Sequence, residues 1–401
     1  MRVVAILGLL WVGIAGGGPA ATAGGSAVVP VRVTVTAFGA VSDGRTPTAA
    51  AIQAAIDSVS ETGGEVVVPA SDRPYLLETG LTIRADNVRL TGPGATLLMG
   101  DGAIAGEIID VIEVQGTPED PVEGVVVSGL TLDGNYWSQH GSYNPRGFDS
   151  EYAHGLLVEN VTITRAFVGL TFGLGVEDAE ARDCRVTRWY DDAFNASGDG
   201  YSGGARRIRF VRCVAEDSPD EGQGGLPGNR NNAWEIEDGT HDVELIDCVV
   251  RNAGGNGFAV RNHGWDRPVV TSNTRLIRCR AENVARLGFH VRGQRYPNSL
   301  DGVLVRDCVS DSVSVFEKDV RGLMIERSRF GATVTIGPAR EAVIRDTAFS
   351  RLRVWSQAVR GDAGGAGGYF SSYLFERCTF EVPPSVWGAP GFVVFEPGNG
   401  G

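Results

Sequence analysis

A short segment of alternating apolar and polar residues recurs along the chain, and six of its copies contain a cysteine at the same position. These copies read ARDCRV, FVRCVA, LIDCVV, LIRCRA, VRDCVS and FERCTF, with Cys184, Cys213, Cys248, Cys279, Cys308 and Cys378. Consecutive cysteines are separated by 29, 35, 31, 29 and 70 residues, and the segments that start at Arg321 and Arg340 supply cysteine-free copies within the last interval. The segment from Ala153 is an earlier copy. Short strands repeated in this way predict a solenoid of stacked coils.

A second strand is predicted about ten residues after each cysteine segment. Phe194, Phe258 and Phe289 each follow a cysteine by 10 residues, whereas Trp234 follows Cys213 by 21, which indicates an inserted loop. Strand alternation places these aromatic residues, and the residues two positions later, inside the solenoid. The two inward columns are Leu170, Phe194, Trp234, Phe258 and Phe289, and Phe172, Ala196, Ile236, Val260 and Val291. Equivalent residues of neighbouring coils should lie about 4.8 Å apart, as paired strands do.

The same alternation points two columns of mainly polar side chains outward from the second strand. One column is Thr171, Asn195, Glu235, Ala259 and His290, and its neighbour is Gly173, Ser197, Glu237, Arg261 and Arg292. The opposite phase would bury their charged members, which costs more than exposing the aromatic residues. Loops predicted at 136–152, 198–205, 217–232 and 262–273 fall in these same coils. Long loops that frame one patch of a regular scaffold are typical of a binding or catalytic site.

An amphipathic helix is predicted over residues 47–62, before the first coils. Thr46 is suited to cap its N-terminus, Pro47 to occupy its first turn and Gly63 to end it. Its apolar stripe consists of Ile52, Ala55, Ile56 and Val59. Because an open solenoid exposes its core, this helix should close the N-terminal end of one all-β domain, a single-stranded parallel β-helix over residues 31–400.

The overall charge excludes one class of partner. The formal net charge is −13, and 35 of the 36 basic residues are arginine, since Lys318 is the only lysine. An acidic chain is a poor general binder of nucleic acids, and an anionic ligand would need a local cluster of arginines. We therefore expect no nucleic acid as a partner.

Residues 1–23 have the pattern of a signal peptide. Arg2 gives a positive start, residues 3–15 are an apolar run, and Ala21 and Ala23 form a small-x-small cleavage site before Gly24. The apolar run is shorter than the roughly 20 residues that a membrane-spanning helix needs. We therefore expect a secreted protein, extracellular or periplasmic, with no membrane as a partner.

The six cysteines allow two interpretations. An even number in an exported protein suggests disulfides. A buried column of free thiols instead explains why every cysteine has the same phase in its segment. The column is favoured, and oxidation stays open because stacked neighbours would be close enough to bond.

The N-terminal third resembles the pectate-lyase superfamily, which includes polygalacturonases, phage tailspikes and related β-helix enzymes. The similar segments are Val35–Gly44, Ala51–Ala70, Tyr75–Leu97 and Gly129–Asn135. The resemblance implies a right-handed β-helix and a polysaccharide as the partner. We expect the protein to be a monomer. It does not name a reaction, because this fold carries hydrolases, lyases, epimerases and adhesins.

Two more specific comparisons match in part. Asp191 and Asp192 lie where polygalacturonases have an Asp-Asp pair, but the other landmarks of that family are missing, namely its Asn-Thr-Asp, Gly-His-Gly and Arg-Ile-Lys motifs. The run DAFNAS is similar to the GFDPH stretch of mannuronan C-5-epimerases, with Asn195 and Ser197 in place of the Asp and His of that family. Neither mechanism carries over whole.

The candidate site combines the outward columns with the loops around them. The expected catalytic residues are Asp192, Glu235, Glu237 and His290. The expected substrate-binding residues are Asp191, Asn195, Arg261, Arg292, His263 and Trp137, and the loops add His140, Tyr143, Arg146 and Trp265. No metal-binding motif is evident and no cofactor is expected, although the acidic turn at Asp191 and Asp192 could hold calcium.

The expected function is cleavage of a polysaccharide, pectin-like and uronate-containing, by hydrolysis or β-elimination. Glu235 and Glu237 are two residues apart, so their stems should be separated by about 6.6 Å, near the lower limit for inverting hydrolysis. Glu235 or Asp192 would then be the acid and Glu237, held ionised by Arg261, the base. His290 with the arginines would instead favour elimination. An epimerase and a non-catalytic carbohydrate-binding surface protein are the alternatives.

Overall fold

The computed structural model describes residues 31–103, 109–139, 145–200, 203–219, 231–263, 269–293, 299–318, 320–356, 358–359, 369–388 and 392–396. They belong to one compact unit, Val31–Gly401. The expected signal peptide lies outside the described residues, as do His140, Tyr143 and Trp265. Among the described residues, no helix is long and apolar enough to span a membrane.

Parallel strands pair from coil to coil in three ladders and form a right-handed β-helix, as expected. Ladder A consists of Arg32–Thr34, Gly64–Val67, Val88–Thr91, Val126–Ser128, Leu157–Glu159, Glu180–Arg182, Arg206–Val211, His241–Ile246, Thr271–Ile277, Leu300–Arg306, Met324–Glu326, Ala342–Arg345, Ser372–Glu376 and Phe392–Glu396. Ladder B consists of Tyr75–Leu77, Thr96–Met99, Thr131–Asp133, Thr162–Thr164, Arg185–Thr187, Val214–Glu216, Val249–Ala253, Arg280–Val284, Val309–Ser310, Arg329–Ile336, Ala348–Ser356 and Thr379–Gly388.

Ladder C carries the polar columns. It consists of Leu81–Ile83, Ile112–Gln115, Arg146–Glu151, Val168–Phe172, Asp192–Ala196, Asn232–Glu237, Asn256–Arg261, Phe289–Arg292 and Ser314–Glu317, and its last strand pairs with Arg329–Ile336. Short parallel strands at Val122–Glu123, Ala153–His154, Val320–Arg321 and Ala339–Arg340 extend ladder A, and Ala358–Val359 pairs antiparallel with Tyr369–Phe370. Short 3-10 helices are formed by Val35–Phe38 and Tyr136–Ser138.

The predicted inward columns are confirmed. The strand pairings place Phe194, Trp234, Phe258 and Phe289 in one register. Their rings stack with centroids 4.7, 4.9 and 5.2 Å apart, close to the spacing of paired strands. All four side chains are buried. This continuous aromatic column holds the outward residues of ladder C in register.

The cysteine column is also confirmed, with one correction to its position. All six cysteines are free, and all except Cys378 are buried. Each of them lies at the corner between ladders A and B rather than inside a strand, as Cys184 does between Glu180–Arg182 and Arg185–Thr187. Ser328 and Thr347 continue the column, because their hydroxyl groups accept hydrogen bonds from the backbone amides of Cys308 and Ser328.

The residue before each cysteine makes the corner. Asp183, Arg212, Asp247 and Arg278 have φ angles of 54°, 52°, 57° and 53°, in the left-handed region. One such residue turns the chain sharply between two extended strands. Aspartate and arginine alternate there from coil to coil, and Arg212 donates hydrogen bonds of 2.7 and 2.6 Å to Asp183. The Asp or Arg that directly precedes each cysteine in the repeated segment therefore has a structural role, since it forms the corner and pairs with its counterpart in a neighbouring coil.

The N-terminal helix is shorter than predicted, spanning Ala49–Asp57 rather than residues 47–62. Thr46 does not cap it, because its hydroxyl donates a hydrogen bond to Asp43, and Pro47 still forms a parallel bridge with Leu76 of ladder B. Thr48 takes the N-cap position. The predicted apolar stripe is confirmed, since it is buried against the first coils.

Candidate functional site

The outward columns form as predicted on ladder C. Strand pairing aligns Asn195 with Glu235, and Ala259 with His290 in the next coils. It also aligns Glu237 with Arg261. Although these side chains point away from the core, Asn195, Glu235, Glu237 and His290 are each at most 8% exposed. Their ionisable groups therefore interact with one another in a region of low dielectric.

Asp192 and Glu235 form the centre of the site. The side-chain amide of Asn232 donates hydrogen bonds to both carboxyl groups, 2.9 Å to Asp192 Oδ1 and 3.2 Å to Glu235 Oε2. Asn256 in turn donates to Asn232 Oδ1 at 2.9 Å. Burial, followed by the charge of Glu235, raises the pKa of Asp192 well above its ordinary value. The raised pKa favours the protonated form of Asp192, which shares a side-chain hydrogen bond with Glu235.

Arg261 pairs with Glu235, not with Glu237 as the sequence analysis expected. Its guanidinium Nε donates to Glu235 Oε1. Ala259 lies beside Glu235 in the strand register, and its small side chain leaves room for the guanidinium. Burial alone would raise the pKa of Glu235, but the charge of Arg261 lowers it below its ordinary value. Glu235 is therefore the ionised carboxylate of the site.

Glu237 is held by different partners. His263 Nδ1 lies 2.9 Å from Glu237 Oε2 and 2.8 Å from Asp238 Oδ2. Asn195 donates a hydrogen bond of 3.2 Å to the other oxygen of Glu237. Burial and the charge of Glu235 raise the pKa of Glu237 to about 7. The hydrogen bonds to Asp238 and Glu237 raise the pKa of His263 to about 10, so this ring is cationic at neutral pH.

His290 is a neutral imidazole at the C-terminal side of the carboxylates. Burial and the charge of Arg261 lower its pKa to about 4. Its Nδ1 is buried and has no hydrogen-bond partner among the described residues. Arg292, in the neighbouring column, lies 3.6 Å from Glu317. Both arginines of the outward column therefore face a carboxylate of this chain.

Asp191 and Trp137 lie at the edge of the site where the ladder C strands begin. Burial and the charge of Glu235 raise the pKa of Asp191 to about 6, so Asp191 is within electrostatic range of the centre. Trp137 is 40% exposed, and the guanidinium of Arg188 lies 5.6 Å from the centre of its ring. Trp137 contacts Tyr136, with their rings 5.3 Å apart.

A second carboxylate cluster includes residues from the segment 136–152, which the sequence pattern predicts as a loop. Arg146–Glu151 is a ladder C strand, which aligns Asp149 with Glu113 of the preceding coil. Asp110, Glu113, Asp149 and Arg146 line a cleft of about 380 Å³, and Arg146 lies 2.7 Å from Asp149. The sequence RGFDSE shares its Gly-Phe pair with NGFAVR and LGFHVR, and this shared pair could have identified the strand.

Two groups of side chains could hold a metal ion. Glu235, Glu237 and His263 each offer an atom within 4.8 Å of the others, and so do Asp110, Glu113 and Asp149. The oxygen-rich second group matches the ligands that calcium prefers. Asp191 and Asp192, where the sequence suggested calcium, belong to neither of these two groups, which were found among the described residues. In the first group, Arg261 and His263 already supply the positive charge that a cation would bring.

No family model and no curated protein matches the chain. Among solved structures, it is similar to the A-module of mannuronan C-5 epimerase AlgE6 from Azotobacter vinelandii, at 19% identity and a TM-score of 0.65 over 89% of this chain and 99% of that one. The adhesin PfbA of Streptococcus pneumoniae is 13% identical, with a TM-score of 0.58 over 92% of this chain and all of that one. The catalytic unit of a GH87 α-1,3-glucanase from Streptomyces thermodiastaticus is 16% identical, with a TM-score of 0.57 over 92% and 69%. The chain therefore has the right-handed parallel β-helix fold shared by these carbohydrate-active enzymes and this adhesin.

Proposed function

We propose that the protein is a secreted enzyme that cleaves a polysaccharide lying across the coils of ladder C. One observation carries the proposal: Asp192, Glu235 and Glu237 are buried together, and their environments separate their protonation states. A structural ion pair needs only opposite charges, whereas acid–base catalysis needs one carboxyl group protonated beside one that is ionised. Glu235 with Glu237 provides such a pair.

The electrostatics favour Glu237 as the acid and Glu235 as the carboxylate, which reverses the roles expected from the sequence. Glu237 retains its proton up to a pH of about 7, while Arg261 keeps Glu235 ionised. One oxygen of Glu235 lies within 4.8 Å of one oxygen of Glu237, a proximity closer to the roughly 5–5.5 Å separation of carboxyl groups in retaining enzymes than to the roughly 6.5–9.5 Å of inverting ones. This geometry supports a double displacement, in which Glu235 attacks the sugar while Glu237 protonates the leaving oxygen. Water, deprotonated by Glu237, then breaks the bond between the sugar and Glu235 and restores both carboxyl groups.

Access to these carboxyl groups involves the two cations beside them. The side chains of Glu235 and Glu237 are 4% and 11% exposed, whereas those of Arg261 and His263 are 25% and 46% exposed. The hydroxyl groups of a bound sugar would replace some of the hydrogen bonds that these two cations now make to the carboxyl groups. Arg261 and His263 are therefore proposed as substrate contacts, with Asp191 and Asn195 beside them.

Elimination or epimerisation of a uronate is the second candidate, and His290 is the observation that favours it. A neutral imidazole has a lone pair that can accept the proton next to a carboxylate-bearing carbon. Arg261 and Arg292 could then neutralise the uronate. Their pairing with Glu235 and Glu317 weakens this candidate, because a uronate would have to replace both carboxylates.

One panel separates these reactions. The purified protein is incubated with polygalacturonate, alginate and neutral α- and β-glucans, and reducing ends and ultraviolet absorbance are followed together. New reducing ends without absorbance support hydrolysis, both signals together support elimination, and altered uronate composition alone supports epimerisation. Binding without any of these changes would support a non-catalytic surface protein and refute the enzyme proposal.

Export and a monomeric state are part of the proposal. Residues 1–23 have the signal-peptide pattern, and one protein of the same fold, PfbA, is a surface adhesin. Expression with the leader should release a protein that begins at Gly24, which N-terminal sequencing can identify. Light scattering should then give a mass near that of one chain.

A further inference from the structure

A cluster of aromatic side chains lies outside the β-helix core, next to the proposed catalytic carboxyl groups. Tyr136, Phe167 and Tyr190 come together with ring centroids 4.8 to 5.8 Å apart, and Trp137 adds a fourth ring 5.3 Å from Tyr136. We call these four residues the aromatic wall. None of them belongs to the stacked column headed by Phe194, which is fully buried.

The wall is continuous with the proposed site. Tyr190 directly precedes Asp191 and Asp192, and the amide of Asp191 donates a hydrogen bond of 2.8 Å to the carbonyl of Phe167. The next coil follows in the same way, because the amide of Asn232 donates to the carbonyl of Asp191 at 2.9 Å. The wall therefore occupies the coils on the N-terminal side of the carboxyl groups, at the edge where the ladder C strands begin.

The hydroxyl groups of the wall interact with each other beside Asp191. Tyr136 and Tyr190 share a side-chain hydrogen bond, and burial together with the charges of Tyr190 and Asp191 raises the pKa of Tyr136 to about 12. Aromatic rings with hydroxyl groups at their edges, next to carboxylates, provide an apolar face and hydrogen-bonding groups side by side. A pyranose ring has the same combination, with C–H groups on its faces and hydroxyl groups around its rim.

We infer that the aromatic wall is a sugar-binding subsite, on which a pyranose ring of the polysaccharide stacks before the chain reaches the carboxyl groups. This inference rests on the proposed function, which places the reacting bond at the carboxyl groups. It adds a sugar ring that binds to the coils next to them. Trp137 forms the most exposed part of the wall and is held by the Arg188 guanidinium. A subsite away from the reacting bond positions the chain, so its loss should weaken binding more than turnover at saturation.

Three variants test the inference. Trp137→Ala and Tyr190→Ala remove rings from the wall, while Tyr190→Phe keeps the ring and loses only the hydroxyl group. Trp355→Ala is the matched control, because Trp355 is 38% exposed on a distant coil. Affinity electrophoresis in gels containing polygalacturonate, alginate, or neutral α- or β-glucans measures binding, and the panel above measures KM and kcat on whichever polymer is cleaved.

We expect Trp137→Ala and Tyr190→Ala to weaken binding and raise KM at least fivefold, with kcat within threefold of the parent and Trp355→Ala unchanged. Tyr190→Phe should keep most of the affinity. Equal losses of affinity in Trp137→Ala and Trp355→Ala would overturn the subsite, and so would unchanged affinity in both wall variants. A parent protein that none of these polymers retains in the gel would also overturn it. A parent that binds through the wall but cleaves nothing would refute the proposed cleavage alone.

Discussion

Asp110, in the second carboxylate cluster, provides a test of the electrostatics that does not require a known substrate. Burial, followed by the charge of Asp149, raises the pKa of Asp110 from 3.8 to about 8. A group whose pKa is raised on folding binds its proton more tightly in the native state. Its contribution to stability is therefore fully present below a pH of about 4 and is lost as the pH rises towards 8.

The size of this contribution follows from the shift. At about 1.4 kcal/mol per pKa unit, a shift of this size corresponds to about 5–6 kcal/mol. Because Asp149 and Asp110 interact strongly, the two share this energy, and we expect about half of it for Asp110 alone. Asp110→Asn is neutral at every pH and keeps the stabilisation that the parent loses. The variant should be only about 0.5 kcal/mol more stable than the parent near pH 4.5 and about 3 kcal/mol more stable at pH 8.

Thermal unfolding followed by circular dichroism between pH 4.5 and 8.5 measures this difference. Because the unfolding entropy increases with chain length, each kcal/mol should shift the Tm by about 2 °C or less. We expect the Tm advantage of Asp110→Asn to grow to about 3–5 °C at pH 8. The exposed Asp72→Asn serves as the control and should follow the parent at every pH. An advantage for Asp110→Asn that does not depend on pH would refute the reasoning.

Three further predictions follow from the candidate site and the core. Glu237→Gln and Glu235→Gln should each lower turnover at least about a hundredfold on a substrate that the parent cleaves, and full activity in both would contradict the assignment. Glu235→Gln should also lower the Tm, because it leaves the guanidinium of Arg261 without its buried carboxylate partner. Turnover should fall as the pH rises through about 7, because Glu237 must be protonated to act as the acid, and a flat pH–rate profile between 6 and 9 would contradict that role. Thiol titration of unfolded, unreduced protein should find most of the six cysteines free, whereas finding none free would mean disulfides.

The repeat pattern in the sequence was sufficient to predict the fold and the register of the coils. A strand side chain has two possible faces, and only one choice buries Phe194 and Phe258 while keeping Glu235 and Arg261 out of the core. The positions of the outward columns followed from this choice. The strand Arg146–Glu151 was missed because the segment before it does not keep the coil length, and periodicity carries no information where a coil is irregular.

The tertiary structure decided which outward side chains pair and how they ionise. Strand register places Arg261 beside Glu237, yet its guanidinium reaches Glu235, because Ala259 leaves space there and His263 and Asn195 already bind Glu237. Alternation predicts the face of a residue but not its side-chain rotamer or its burial by neighbouring coils. The protonation of Glu235 and Glu237 depends on those contacts and on that burial, so it could be determined only from the folded chain.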